Sequence, residues 1–227
     1  MQPPTAVAVY LEVGNKRTFA CAVDWPGWCR SGRDEGAALQ TLRSYGPRYA
    51  RVMQAAGLDF LPPAAASEFA VTGRNPGNAT TDFGAPASIP PCDLSPLSTA
   101  ELQRLRAILR ACWQEFDRAV QSAGGKTLRK GPRGGGRNLE AMVRHVLEGD
   151  AGYLRRLAWK VSKDEREDIG RVRQSIMAAL EAAAGGALPE RGPRGGIIWP
   201  PRYFVRRVAW HTLDHLWEIE DRIVVAG

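Results

Sequence analysis

Val208-Ala-Trp-His-Thr-Leu-Asp-His-Leu-Trp-Glu-Ile219 is the stretch from which the C-terminal fold can be read. His211 and His215 stand four residues apart, so a helix sets them on one face, one turn from each other. Glu218 and Arg222 continue that face. Phe204, Val205, Val208, Leu216, Ile219 and Ile223 give the same helix an apolar side. The chain has one further histidine, His145, 66 residues before His211, in Asn138-Leu-Glu-Ala-Met-Val-Arg-His145. If the two helices pack side by side, all three imidazoles can reach one ion. Three neutral nitrogens suit a borderline divalent metal and leave a coordination position open for water or substrate. A lone histidine on an amphipathic helix is more often a core or capping residue, and an isolated pair at this spacing also arises by chance.

Outward from that stretch, the whole C-terminal part is helical in pattern. Ser98-Thr99 followed by Glu101 caps a helix reaching about Ser122, with Leu102, Leu105, Leu109, Cys112, Trp113 and Phe116 on its buried side. Asn138 caps the second helix. Asp164 starts the third, with Ile169, Val172, Ile176, Met177 and Leu180, and Gly185-Gly186 ends it. Pro200-Pro201 opens the fourth. Four amphipathic helices over residues 98–227 predict a four-helix bundle, the arrangement that buries all four apolar faces.

The N-terminal part has a different rhythm. Ala6–Val13 and Thr18–Asp24 are rich in β-formers and separated by Gly14-Asn15, and Trp28–Ser31 is a short third strand. A helix runs from Glu35 to Ala56, with Pro47 inside it marking a kink or break. Glu68–Thr72 reads as a fourth strand. The fold class expected is therefore α+β, with a sheet-and-helix domain over residues 1–74, a Pro/Gly-rich linker over 75–97 and the bundle over 98–227.

Composition bounds the function classes. With 227 residues, 44% hydrophobic and 24% charged, the chain has the make-up of a soluble globular protein. No apolar run approaches the roughly 18 residues that span a bilayer. The N-terminal Met-Gln-Pro-Pro lacks a basic and an apolar signal region, so a cytoplasmic location is expected. Cys21, Cys29, Cys92 and Cys112 have no metal-knuckle or CxxC spacing and read as reduced thiols. The net charge of +7 admits anionic partners, but much of it sits in two Gly/Arg loops and not along one helix. It suits an anionic small molecule as readily as nucleic acid. No P-loop, GxGxxG, nucleophile elbow or Cys/His dyad is present.

One histidine in the second helix and HxxxH in the fourth, in the two contexts quoted above, resemble the DinB/YfiT-like metalloproteins over residues 98–224. The resemblance implies one divalent ion, zinc or nickel, held by His145, His211 and His215. It also implies, as one activity of that superfamily, transfer chemistry dependent on a low-molecular-weight thiol, or hydrolysis, on a small-molecule substrate. In the N-terminal part, Asp24-Trp-Pro-Gly-Trp28 and Ser31 to Leu39 resemble HicB-like antitoxin domains, which tend to have Asp-Leu-Pro-Gly-Cys and a Gly-Asp-Thr-x-Glu-Glu-Ala-Leu helix start. Trp28 replaces the usual cysteine and no antitoxin-type DNA-binding domain follows, so only the fold is carried over.

Around the histidines, Glu218 could orient a bound water, act as a base, or accept an imidazole N–H, or it could simply pair with Arg222. Asp214, within a turn of His211, could set that ring's tautomer, and Glu148 has a weaker claim beside His145. Gly149 and Gly152, four and seven residues after His145, cost helix stability of about 1 kcal/mol each and so call for a reason. They either leave room for substrate or let a neighbouring element approach. Arg133 and Arg194 occupy equivalent places in two Gly-Pro-Arg-Gly-Gly loops that lead into the histidine-bearing helices, where they could hold an anionic group. Lys126, Arg129, Lys130 and Arg137 add to the first loop's charge. Trp199, Trp210 and Trp217 are candidates for an aromatic wall. The rival function is a non-catalytic interaction protein, with a structural metal and a sheet edge that pairs with a partner or a second copy. A nucleic-acid role would rest on charge alone.

Overall fold

The computed structural model describes residues 6–131, 136–192 and 195–224; Arg133 and Arg194 lie outside the described residues. The chain forms two compact units, Met1–Ser95 and Pro96–Gly227. It is a mixed α+β protein, with a four-stranded mixed sheet and, among the described residues, eight α-helices. No described helix is long and apolar enough to cross a membrane.

In the first unit, strands β1 (Val7–Val13), β2 (Thr18–Ala22), β3 (Cys29–Gly32) and β4 (Phe69–Pro76) lie in the order β3-β2-β1-β4. The β1–β2 and β2–β3 pairs are antiparallel, whereas β1 and β4 run parallel. A parallel pair needs a crossover, and helices α1 (Glu35–Ser44) and α2 (Gly46–Ala55) lie in that connection. Asp34 caps α1 by accepting from the Ala37 N–H at 2.8 Å. The run from 35 to 56 breaks at Tyr45 because Pro47, which cannot donate, sits in the first turn of α2. Between the sheet and these helices, Trp28 stacks on Tyr49 with ring centroids 5.8 Å apart, and Phe60 meets both rings edge-on. Both polar handles are satisfied: Trp28 Nε1 donates to the Leu42 carbonyl and the Tyr49 hydroxyl to the Pro26 carbonyl, each at 2.9 Å.

Two expectations are corrected here. Cys21 and Cys29 are register partners across β2 and β3 and are joined as a disulfide, not separate thiols. Residues 75–95 are not a linker, because they fold onto the first unit. They finish β4, form the short helix α3 (Ala79–Phe83) under an Asn78 cap, and wrap the buried Glu12 of β1. The Glu12 carboxylate accepts from the Thr81 hydroxyl at 2.5 Å and from the backbone N–H groups of Ala87 and Ser88 at 2.8 and 2.9 Å. A buried carboxylate needs such donors, and Pro/Gly-rich chain can bend to supply them.

The second unit holds α4 (Thr99–Ala123), α5 (Leu139–Leu154), α6 (Lys163–Arg166), α7 (Ile169–Ala184) and α8 (Pro201–Arg222). Helix α4 packs on α8 and α7, and α5 packs on the same two, so the four long helices enclose a common core. α8 is the most deeply set, buried continuously from Tyr203 to Leu213. The third long helix starts later than Asp164. Ser162 caps the single turn of α6, and Asp168 caps α7 by accepting from the Arg171 N–H at 3.0 Å. Arg173 of α7 and Asp117 of α4 form a two-bond ion pair at 2.7 and 2.8 Å.

Candidate metal centre

His145 projects from the middle of α5, while His211 and His215 project from successive turns of α8, the neighbour of α5. One nitrogen from each ring can be chosen so that all three lie within 4.8 Å of one another. The Nε2 atoms of His145 and His211 are 3.3 Å apart. Two nitrogens bound at about 2.0–2.1 Å to a tetrahedral ion would lie about 3.3–3.4 Å apart, so this pair is already at the spacing a zinc-like ion requires. The three ring centroids form a near-equilateral triangle, with sides of 5.0, 4.9 and 4.8 Å.

Two of the three rings are held in the neutral form. Burial lowers the pKa of His145, and the nearby His215 and Arg137 add to the effect. His211 is driven well below the ordinary imidazole value, again first by burial and then by His215, His145, Arg207 and Arg137. Both are therefore neutral near pH 7, with lone pairs available to an ion.

His215 is held differently. Its Nδ1 lies 3.0 Å from Glu218 Oε2, and the other Glu218 oxygen accepts from Arg222 Nη1 at 2.8 Å. The His215 bond, helped by Arg222, keeps the Glu218 carboxyl below its usual pKa against the opposing effect of burial. A carboxylate at this distance suits a hydrogen bond from Nδ1–H of His215, the tautomer that would present Nε2 to a ligand. Each Glu218 oxygen thus has one partner, and the carboxylate links His215 to Arg222. Arg222 is itself fixed, donating from Nε to the Arg129 carbonyl at 2.8 Å and from Nη2 to the Arg137 carbonyl at 2.9 Å.

Gly149 has a specific steric reason. A β-carbon there would lie 2.4 Å from His211 Cε1 and 2.9 Å from its Nδ1. The imidazole of His211 on α8 occupies the space that a side chain on α5 would fill, so the room at Gly149 is taken by that ring. Gly152 has only Arg155 Nη2 near its would-be β-carbon, at 3.5 Å, and makes no such contact with the histidines. Asp214 does not fix His211, whose buried Nδ1 has no hydrogen-bond partner. Helical side chains lean toward the N-terminus, away from residue 214, and this ring edge rests on the α5 backbone at Gly149 instead. Glu148 is exposed and acts on His145 only through its charge, raising the ring's pKa.

Two neighbours were missed in the sequence. Tyr153 meets His211 edge-on with centroids 5.7 Å apart, and Arg207 Nη2 donates to its hydroxyl at 3.3 Å. Burial pushes the Tyr153 pKa up. The signal was available, since Tyr153 follows His145 and Gly149 at eight and four residues, along one helical face. Of the expected tryptophans, Trp199 packs against Tyr153 at 5.6 Å and Trp210 tilts over His211 at 6.3 Å, whereas Trp217 is simply core.

Compared with known proteins, the chain matches no family model, no curated protein and no solved structure.

Proposed function

We propose that the second unit is a DinB-like four-helix bundle that binds one divalent ion, zinc or nickel, through His145, His211 and His215. On this reading it catalyses metal-activated thiol transfer or hydrolysis on a small molecule. The carrying observation is the convergence of three imidazoles, two of them with Nε2 atoms 3.3 Å apart. Such a cluster of imidazole donors, with one ring resting on a glycine and another hydrogen-bonded to a carboxylate, is what a three-histidine site needs. When bound, the ion would lower the pKa of a coordinated water or low-molecular-weight thiol and supply a nucleophile near neutral pH. The chain's own part is to keep His145 and His211 unprotonated by burial and to orient His215 through Glu218 and Arg222. Tyr153, Trp199 and Trp210 line the aromatic side. The first unit is read as a HicB-like α/β module.

Elemental analysis of purified protein tests the metal directly. About one zinc or nickel per chain is expected in the wild type and almost none in His211→Ala; a wild type that takes up no stoichiometric metal from excess ion ends the proposal. Turnover of an electrophilic test compound should then require both metal and a cellular thiol, or metal alone if the chemistry is hydrolysis. A second reading, an interaction protein with a structural metal, draws on the sheet order, which leaves β3 and β4 as edge strands open to a partner or a second copy. It predicts metal uptake without turnover.

A further inference from the structure

We propose that the cleft between the end of α4 and the start of α5 is an oxyanion site for a small, multiply charged ligand of the phosphate class. The cavity measures about 390 Å³, and Lys126, Lys130, Arg137, Asn138, Glu140 and Arg222 line it. Its walls are built by a network that ties the chain after α4 to the end of α8. Arg129 N–H donates to the Arg222 carbonyl at 2.7 Å and Val224 N–H to the Thr127 carbonyl at 3.0 Å. In return the buried Arg222 guanidinium holds the carbonyls of Arg129 and Arg137. The side chain of Arg129 also donates to the Asp221 carbonyl at 2.6 Å. Lys126 and Lys130 are thus carried on backbone that is hydrogen-bonded on both sides.

Charge on this frame is one-sided. Lys126, Lys130 and Arg137 are exposed, and none makes an ion pair among the described residues. Arg222 adds a fourth cation, though Glu218 neutralises it. Glu140 is the one acid among the described lining residues. Like charges gathered in one cleft repel, and a bound dianion relieves that repulsion. The lining also takes in Asn138 and Leu139 at the N-terminal end of the 16-residue α5, whose dipole has the same sign preference. Lysines acting as point charges beside a forked guanidinium suit a phosphate group. The site goes beyond the metal reading, because its contacts include none of the three histidines and it binds its ligand with the metal removed.

The test uses full-length protein stripped of metal by chelation and titrated calorimetrically with pyrophosphate and, separately, with succinate. Pyrophosphate should bind saturably with Kd below about 1 mM at low salt. Lys126→Gln/Lys130→Gln and Arg137→Gln should each weaken it by about tenfold or more. Arg110→Gln, on an exposed part of α4 outside the cleft, should leave it unchanged. Succinate should bind at least about tenfold more weakly than pyrophosphate. No saturable pyrophosphate binding, equal loss in Arg110→Gln, no loss in the cleft variants, or succinate binding as tightly as pyrophosphate would each overturn the proposal. Unchanged unfolding midpoints in the variants confirm that the frame stays folded.

Discussion

Glu12 in the first unit and Asp150 in the second are both fully buried carboxylates, and they are treated in opposite ways. Glu12 accepts from a hydroxyl and two backbone N–H groups. Neither oxygen of Asp150 has a hydrogen-bond partner. The contrast extends to their surroundings. In the first unit the core Trp28 and Tyr49 pair their polar atoms with carbonyls, while in the second His211 Nδ1, Thr212 Oγ1 and Trp113 Nε1 are left without partners. Buried polar groups are ordinarily satisfied, and a unit that leaves several unmet gives up stability. The first core is organised for stability. The second leaves more of its buried polar atoms unmet, Nδ1 of His211 among them, as units that bind something commonly do.

The largest effect should come from removing the satisfied carboxylate. Glu12→Ala strips the Thr81 hydroxyl and the Ala87 and Ser88 N–H groups of their acceptor inside the protein. Each buried donor left unmet costs about 1–3 kcal/mol, so a loss of about 3–5 kcal/mol is expected in the unfolding of the first unit. Denaturant unfolding followed through the fluorescence of the Trp28 cluster measures it. A loss below about 1 kcal/mol would mean that water replaces the lost acceptor and that residues 75–95 are held on by other contacts.

Asp150 should behave in reverse, and pH shows the sign. Burial raises its carboxyl from 3.8 to about 7, with the Arg173 charge opposing. The folded state therefore holds a proton that the unfolded state has released between those values. Stability from this group is present at low pH and declines as pH rises toward 7. Asp150→Asn removes the titration. Relative to wild type, the variant should gain on the order of 2–4 kcal/mol between pH 4 and pH 8. A pH-independent difference would show that Asp150 is hydrated or paired in solution. His211 contributes the opposite slope: its pKa is lowered, so the metal-free protein loses stability as pH falls below the ordinary imidazole value of 6.5.

The parts legible in the sequence were those set by local periodicity. A four-residue spacing fixes that His211 and His215 share a helical face, and Pro47 marks where a helix must break. What could not be read depends on pairing across distance. Cys21 and Cys29 are eight apart, with no signature, and only strand register sets them opposite each other. The composition of residues 75–95 suggests slack chain, yet a single buried glutamate more than sixty residues away gathers it in. Choosing between Asp214 and Glu218 turned on ring lean and on Arg222, whose carbonyl partners lie 93 and 85 residues distant. The room at Gly149 had two readings until α8 was placed against α5.

The smallest effect sharpens the comparison, because it concerns a polar group in the second unit that is satisfied. Glu218 joins His215 to Arg222, one through each carboxylate oxygen. Glu218→Gln keeps the shape but turns an amide donor toward either the ring N–H or the guanidinium. Supporting partners of metal-ligating histidines typically contribute about 10–100-fold in affinity, so zinc or nickel binding should weaken by that factor, measured by competition with a chromogenic chelator. In metal-free protein the exchange should cost no more than about 1 kcal/mol, because Glu218 is part-exposed and water can take its place. A variant that keeps wild-type metal affinity would reduce Glu218 to a surface partner of Arg222. The histidines would then be oriented by packing alone, and the second unit would hold its site with no dedicated polar support.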